Sequence, residues 1–414
     1  MMNSTDRPLH GLRVLDLTVA LAGPYASLLL GGMGAEVIHV EAPGGSDLAR
    51  GNPPSVGKDG LNFGASSGDE ISLSILNRGR NKKSITLDLK SEKGRKILLS
   101  LAATCDVFLE NLSDGVVSRL KVDYDHVRQI NPRIVYASIK AFGDPNGYPN
   151  LKGMDIVVQA LSGIMDATGF PDGPPTRVGI PIADMVTPMY LVQGILAALI
   201  QRGRTGEGQY VQVSMLDALA SLMAIEHFDV LTPHGAPARS GNFMDRAAPF
   251  GVFPSKDGYV AIMAFRQDWL TSLLQAMGRP DLIEDARFAT RTSRMQHAAI
   301  LNALIQEWTM TKDSKEIVHE LLEQREVPAA KVRSPHEVLQ DPLLHQSGAL
   351  TRLLHPAYGD TGAVGMGLPI RFSKSRVQFD QPATELGAAN EEIYGGLLGM
   401  SFEEIEQLRA DGTI

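Results

Sequence analysis

The sequence is almost devoid of cysteine and has no excess of positive charge. Its 414 residues include one cysteine, Cys105, which excludes an intrachain disulfide and favours a reducing compartment. Cys105 ends an amphipathic helical pattern, so we interpret it as a buried structural thiol rather than a nucleophile. The net charge of -8 disfavours nucleic-acid binding, although a local basic pocket can still hold an anionic ligand.

Signals for membrane targeting and metal binding are lacking as well. The first eight residues contain no apolar core of a signal peptide, and no apolar stretch reaches the ~20 residues of a membrane span. The ten histidines are scattered, with no His-Glu-x-x-His and no other pair at ligand spacing. We therefore expect a cytoplasmic protein without a metal site.

Strand-like and helix-like segments alternate along the chain, which predicts an α/β protein with a Rossmann-like parallel sheet. The length favours two or more domains. We predict a large domain at 1–230, completed by about 380–414, a linker at 231–249, a small α/β domain at 250–335 and a return linker at 336–379. The predicted elements are strands at 12–18, 35–41, 84–89, 106–111, 134–139 and 258–264, a long loop at 50–75, and helices at 22–32, 92–103, 188–203, 267–277, 296–310, 314–325 and 401–410.

Asp184 is the candidate catalytic residue. It precedes the apolar run 189–200, and an Asp in that place is usually a helix N-cap. However, Thr187 followed by Pro188 is typical of an N-cap and first helical residue, which predicts that the helix begins later. Asp184 is then not needed as a cap, and a carboxylate among apolar neighbours is available for chemistry.

The loop after the first predicted strand, residues 18–24, lacks the Gly-x-Gly-x-x-Gly turn of dinucleotide-binding proteins. Glu41 imitates a ribose-binding acid, but without that turn we disfavour an NAD dehydrogenase. Cations near strand ends are usually solvated surface charges, whereas several around one crevice could hold the phosphates of a large anionic cofactor. Such cations are Lys82, Lys83, Lys90, Arg119 and Lys152.

Nine segments in a fixed order form a pattern that covers nearly the full length of the chain. The segments are 9–18, 22–24, 34–47, 81–89, 110–112, 131–138, 202–211, 241–242 and 248–253. Taken together, they resemble the class III CoA-transferases of the CaiB/BaiF type, and the ordered set is specific although no single piece is. That family includes formyl-CoA and carnitine CoA-transferases and is related to α-methylacyl-CoA racemase.

The resemblance implies an interlocked homodimer, acyl-CoA and a small carboxylic acid as substrates, and no tightly bound cofactor. It also implies that Asp184 is the catalytic carboxylate. The implied CoA contacts are Val19, Ala20, Leu21, Ala22, Leu87, Lys90, Asn111, Leu112, Arg119 and Lys152. The chain departs from the family at Pro188, where Gly is frequent, and at Ala42, where formyl-CoA transferase has a cation.

Three functions remain open. In a transferase, Asp184 would attack the thioester carbonyl and form an acyl anhydride and an aspartyl-CoA thioester in turn. A racemase would need a second base from a Gly-His-Asp sequence, but this chain has Gly153-Met154-Asp155, and Met cannot transfer a proton. The third function is CoA binding without catalysis. Arg239, Arg246 and Arg266 favour a carboxylate-bearing acyl group such as succinate, itaconate, mesaconate or malate.

Overall fold

The structure is a computed structural model that describes residues 7–45, 47–64, 70–143, 145–149, 151–244 and 246–414. The chain forms two compact units. The first consists of residues 1–162, 179–222 and 341–414, and the second of residues 163–178 and 223–340. The domain boundaries given above remain predictions.

A parallel sheet of six strands lies at the centre of the first unit. The strands are β1 (Arg13–Asp16), β2 (Glu36–Glu41), β3 (Lys82–Thr86), β4 (Val107–Glu110), β5 (Val135–Lys140) and β6 (Tyr210–Ser214). Their order in the sheet is β3-β2-β1-β4-β5-β6. This is the order of a doubly wound Rossmann fold, in which the strand order reverses between β1 and β4. The predicted parallel sheet is confirmed.

The β-branched and aromatic residues of these strands explain why the strands are buried in the interior of the unit. Strands β4 and β5 are buried along their whole length, as expected for a parallel sheet covered on both faces. Leu15, Ile38, Ile85, Phe108 and Tyr136 belong to one hydrophobic core. Cys105 is buried in this core, and burial raises the pKa of its thiol to about 12, which supports a structural role.

Four helices of the first unit carry Asp184, its neighbours or a predicted CoA contact. They are α1 (Ala22–Gly32), α2 (Leu73–Arg78), α3 (Asp155–Leu161) and α4 (Ile182–Thr205). All eleven residues of α1 are buried. Gly23 permits this packing, because a Cβ there would lie 2.3 Å from the Cβ of Thr18. Other helices of this unit are Leu48–Gly51, Glu92–Ala102, Val116–Arg119, Tyr124–Ile130, Met215–Met223, Pro342–Gln346, Glu391–Leu397 and Phe402–Ala410.

The long loop predicted at 50–75 is wrong over most of the described residues. Ser55–Gly57 pairs antiparallel with Gly60–Asn62 and with Ile71–Ser72, and α2 begins at Leu73. These strands have only two or three residues, which is too short for an alternating pattern to be visible in the sequence. Residues 65–69 lie outside the described part of the chain. A hairpin of Leu350–His355 and Gly359–Met366 completes this unit.

Helix α4 is 24 residues long and apolar enough to pass a length and composition test for a membrane span. The sequence interpretation found no such segment because it placed the helix start several residues too late. Core helices of soluble proteins pass the same test, and α4 packs against α1 and against strands β5 and β6.

The second unit has its own hydrophobic core around Phe253, Phe288 and Ile305. Three antiparallel strands, Phe250–Ser255, Gly258–Met263 and Ala329–Lys331, form its sheet. The predicted helices near 267, 296 and 314 are confirmed. The helices are Ile164–Ala167, Ala224–Glu226, Phe228–Leu231, Thr232–His234, Gln267–Ala276, Pro280–Ile283, Arg291–Gln296, Ala298–Thr309, Ser314–Val318, His319–Glu323 and Pro335–Leu339.

Candidate active site

Asp184 lies in the first turn of α4, two residues after the helix begins at Ile182. The predicted start at Thr187 and Pro188 is wrong, because both residues are buried inside the helix. Pro188 has no backbone N–H, so the carbonyl of Asp184 receives no intrahelical hydrogen bond from it. The hydroxyl of Thr187 donates to the carbonyl of Ala183 at 2.7 Å, and the helix continues past the proline.

The cap of α4 comes from another helix. Asp155 in the first turn of α3 accepts hydrogen bonds through Oδ1 from the backbone N–H groups of Ala183, at 2.8 Å, and Asp184, at 3.3 Å. Its Oδ2 accepts from Nε2 of the buried Gln159 at 2.6 Å. Asp155 therefore satisfies the orphan donors of the helix end, and the side chain of Asp184 is not needed for this purpose. Asp184 is therefore not the cap, as the sequence predicted, but the reason is the cap from Asp155 and not a later helix start at Thr187.

The environment of Asp184 disfavours its charged form. Burial and the nearby charge of Asp155 raise the pKa of Asp184 to about 6, and Arg78 acts in the opposite direction. The described residues offer the side chain of Asp184 no hydrogen bond. A carboxylate of this kind is still ionised in most molecules at pH 7, yet it is poorly solvated and hence a better nucleophile than an exposed aspartate.

The loops after β1 and β4 meet where the strand order reverses. Asn111 joins them: its Oδ1 accepts from the backbone N–H of Val19 and its Nδ2 donates to the carbonyl of Val19, both at 2.9 Å. Ala20 has a left-handed backbone conformation, with φ of 65°, and its N–H donates to the carboxylate of Asp47 at 3.2 Å. Strained backbone of this kind is frequent at ligand-binding loops. The crevice at this point is where open α/β sheets bind ligands.

The other predicted CoA contacts differ in their surroundings. Leu21 precedes α1, and Ala22 is buried at its start. Leu112 follows β4, and its carbonyl accepts from Nζ of Lys140 at 2.9 Å. The side chain of Leu87 belongs to the hydrophobic core and its backbone N–H donates to the carbonyl of Glu41 at 2.7 Å, so only its backbone carbonyl is left for a ligand. Lys90, Arg119 and Lys152 are exposed cations on separate segments of the first unit.

Lys82 and Lys83, which we considered as phosphate-binding cations, are engaged with carboxylates of the protein. Lys82 is buried and its Nζ lies 3.3 Å from Oδ2 of Asp16. Lys83 pairs with Glu36 and Glu392. The three arginines suggested above for the acid substrate are also paired: Arg239 with Asp166, Arg246 with Glu226 at 2.7 Å and Arg266 with Asp268 at 2.7 Å. Their suggested role in binding an acid substrate is not supported by these contacts.

Two residues near Asp184 were missed by sequence reasoning. Asp155 was noticed only as the last residue of the Gly-Met-Asp sequence, and its contact with α4 joins segments 28 residues apart. Arg78 was not singled out, although it lies in the basic segment 78–83, Arg-Gly-Arg-Asn-Lys-Lys. The cluster of cations directly before a strand was the available signal. Nothing in the sequence distinguished the unpaired cation from the paired ones.

Comparisons with known proteins identify a family and relatives of this chain. The family model described as CoA-transferase family III matches residues 9–390. The chain is 39% identical to succinyl-CoA:mesaconate CoA-transferase of Haloarcula hispanica, over 89% of this chain and 90% of the relative. It is 37% identical to formyl-CoA:oxalate CoA-transferase of Streptomyces coelicolor, over 99% of this chain and 100% of the relative.

A solved structure gives the same result at the level of the fold. A CaiB/BaiF family protein from Brucella suis has a TM-score of 0.80 and 32% identity, and the match covers 94% of this chain and 99% of that protein. The family model alone spans far more than half of the sequence. The chain is therefore an enzyme that belongs to CoA-transferase family III.

Proposed function

We propose that this enzyme moves CoA from an acyl-CoA donor to a small carboxylic acid, with Asp184 as the nucleophile. The observation that carries the proposal is the state of Asp184: a largely buried carboxylate, with no hydrogen bond from the described residues and a pKa raised to about 6. Stabilising a fold needs none of these properties, whereas nucleophilic catalysis benefits from all of them.

The reaction can be written without any net gain or loss of protons. A carboxylate oxygen of Asp184 attacks the thioester carbonyl, the C–S bond breaks, and CoA leaves as a thiolate. The thiolate attacks the aspartyl carbonyl of the resulting anhydride, which releases the donor acid and leaves an aspartyl-CoA thioester. The acceptor carboxylate attacks that thioester, and the thiolate then takes the acceptor acyl group from the second anhydride. Asp184 is regenerated as a carboxylate.

The proposed CoA site is the crevice at the loops after β1 and β4. Val19, Ala20 and Asn111 form its joined edge, and Lys90, Arg119 and Lys152 are exposed cations suited to phosphates. Arg78 lies close to both this crevice and Asp184. Its guanidinium interacts electrostatically with Asp184 and with Asp47, and Asp47 accepts a hydrogen bond from the N–H of Ala20 in the crevice. The acyl end of the thioester would thus lie next to the nucleophile.

We propose a dicarboxylic acid as the acid substrate. The acids in the names of the two relatives, mesaconate and oxalate, are dicarboxylates, and of the two donors named, succinyl-CoA carries a free carboxylate and formyl-CoA does not. The racemase alternative is disfavoured by Met154, whose side chain is 61% exposed and has no proton to exchange, and by Asp155, whose two oxygens are occupied at the helix end.

We further propose that the enzyme is an interlocked cytoplasmic homodimer. In the single chain, α4 leaves Met189, Tyr190 and Ile200 exposed, and Ile156 on α3 is exposed as well. Large apolar side chains along one helix are usually covered by a partner. Light scattering coupled to size-exclusion chromatography tests this: a mass of about 45 kDa, that of one 44.7 kDa chain, would contradict the dimer.

Covalent trapping tests the mechanism. The enzyme is incubated with succinyl-CoA, hydroxylamine is added, and the peptide containing Asp184 is examined by mass spectrometry for a hydroxamate. We expect modification at Asp184 and none in Asp184→Ala. Asp155→Asn is the matched control, since it alters the neighbouring carboxylate and retains the nucleophile. An unmodified Asp184, with full transferase activity in Asp184→Ala, would refute the mechanism and leave CoA binding without this chemistry.

A further inference from the structure

Arg78, the last residue of α2, is a largely buried cation without a bonded partner. Its Nε is inaccessible to solvent and has no hydrogen-bond partner, and the described residues form no ion pair with its guanidinium. Burial lowers the pKa of Arg78, but an arginine remains protonated in proteins at neutral pH. An unpaired buried guanidinium is costly to the fold, so a function is expected to retain it.

The other cations of the same cavity are satisfied. The cavity is lined by Arg78, Arg50, Lys82 and Ala20, among others. Arg50 donates from Nε and Nη2 to the two carboxylate oxygens of Glu41, both at 2.6 Å. Lys82 donates to Asp16 at 3.3 Å and to the carbonyl of Pro24 at 2.9 Å. Arg78 alone among these three has no such contact with the described residues.

The carboxylates of Asp47 and Asp184 interact electrostatically with the guanidinium of Arg78 but form no hydrogen bond with it. Asp47 is occupied, because its Oδ1 accepts from the backbone N–H of Ala49 at 2.9 Å and its carboxylate accepts from Ala20. Asp184 is the proposed nucleophile. The donors of Arg78 are therefore available to an anion that arrives next to Asp184.

We propose that the guanidinium of Arg78 binds the reacting carboxylate of the acid substrate, a proposal that rests on the transferase function above. When the donor acid leaves and the acceptor acid arrives as a carboxylate, Asp184 is an uncharged aspartyl-CoA thioester, so at that stage it no longer provides a negative charge for Arg78. The guanidinium of Arg78 then offers its paired N–H donors to the carboxylate of the acid. Arg78 would hold the departing acid and then the incoming one.

Steady-state kinetics on the full chain test the assignment, with succinyl-CoA as donor and mesaconate as acceptor. In Arg78→Gln, we expect the KM for mesaconate to rise by about tenfold to a hundredfold, the range of a lost charged hydrogen bond. The KM for succinyl-CoA should stay within about threefold, because the thioester carries no charge at its reacting carbon. Arg78→Lys keeps the positive charge but lacks the paired N–H donors of the guanidinium, so its KM for mesaconate should lie between those of the wild type and Arg78→Gln.

Arg50→Lys is the matched control, since Arg50 lines the same cavity but is bonded to the buried Glu41, and Lys keeps the counter-charge of that carboxylate. Its KM for mesaconate should change by less than about threefold. If Arg78→Gln does not fold, Arg78→Lys carries the test, and an unchanged KM for mesaconate in that variant overturns the assignment.

The possible failures are distinguishable. If the wild-type enzyme transfers CoA but Arg78→Gln retains its KM for mesaconate, only the role of Arg78 is refuted. An equal rise in the KM for succinyl-CoA would instead indicate that Arg78 binds a group already present on the donor, a phosphate of CoA or the free carboxylate of the succinyl group, which also refutes the assignment. If the wild-type enzyme transfers no CoA to any acid, the proposed function and the role of Arg78 are both refuted.

Discussion

Two carboxylates of the first unit, the fully buried Asp16 at the end of β1 and the half-buried Asp184 at the start of α4, have different hydrogen-bond and charge partners. Asp16 accepts hydrogen bonds from Thr18 and Ser27 and lies 3.0 Å from Nδ1 of His39 and 3.3 Å from Nζ of Lys82. Burial alone would raise the pKa of Asp16, but Lys82 and His39 hold it well below its usual range.

Asp184 has no comparable set of partners, and its pKa is raised to about 6. Asp16 is the more deeply buried of the two, so burial alone would give Asp16 the higher pKa. Hydrogen-bond donors and cations stabilise the charged form of Asp16, so its carboxylate has a structural role. Asp184 has no such donors, so its carboxylate remains reactive. The predictions below compare these two environments, beginning with the largest expected effect.

Replacing Asp184 by Asn should abolish transfer without harming the fold. We expect kcat to fall by at least about a thousandfold, since an amide cannot form the anhydride. The charged form of Asp184 destabilises the folded state above pH 6, because its folded pKa lies above its unfolded value, so Asn should increase the free energy of unfolding at pH 7.5 by about 1–2 kcal/mol. Turnover assays and chemical denaturation check both results. A variant with lower stability would show that Asp184 contributes to the fold.

Replacing Asp16 by Asn should have the opposite effect. The amide leaves Lys82 buried without a counter-charge, so we expect a loss of about 3 kcal/mol in the free energy of unfolding. The folded pKa of Asp16 is lowered, so its contribution is present above the unfolded pKa near 4 and is lost as pH falls through the folded value. Urea denaturation at pH 7.5 measures the difference. Wild-type stability in this variant would mean that the buried network adds nothing.

The pH dependence of kcat/KM isolates the environment of Asp184. We expect activity to fall as pH decreases through about 6, because the protonated acid is no nucleophile. In Asp155→Asn the acidic limb should move to lower pH by up to about one unit, since a like charge is removed while the amide oxygen can still cap α4. An acidic limb unchanged in Asp155→Asn would show that burial alone sets this pKa.

The sequence allowed prediction of what local pattern and resemblance determine. Five of the six parallel strands, β1 to β5, were predicted from their apolar runs, and the final helix was predicted at 401–410, where Ser401 caps it and accepts from the N–H of Glu404. The start of α4 could not be found, because its cap comes from Asp155 on α3, and a cap from a distant segment leaves no local trace. The unpaired state of Arg78 was also hidden, since pairing depends on which carboxylates the fold brings near.

The smallest effect is expected from a substitution at Asn111, on the partly exposed edge of the proposed CoA crevice. Water can replace lost hydrogen bonds more easily there than around Asp16 or Asp184. Asn111→Ala removes the two 2.9 Å hydrogen bonds that join the loops after β1 and β4. We expect the KM for acyl-CoA to rise about fivefold, which corresponds to ~1 kcal/mol, because Val19 loses its fixed position. The acidic limb of the pH profile and the KM for the acid should not change, because the surroundings of Asp184 remain intact. If instead the acidic limb moves, the crevice and the carboxylate are coupled more tightly than their separate hydrogen bonds indicate, and Asp184 cannot be treated as an environment of its own.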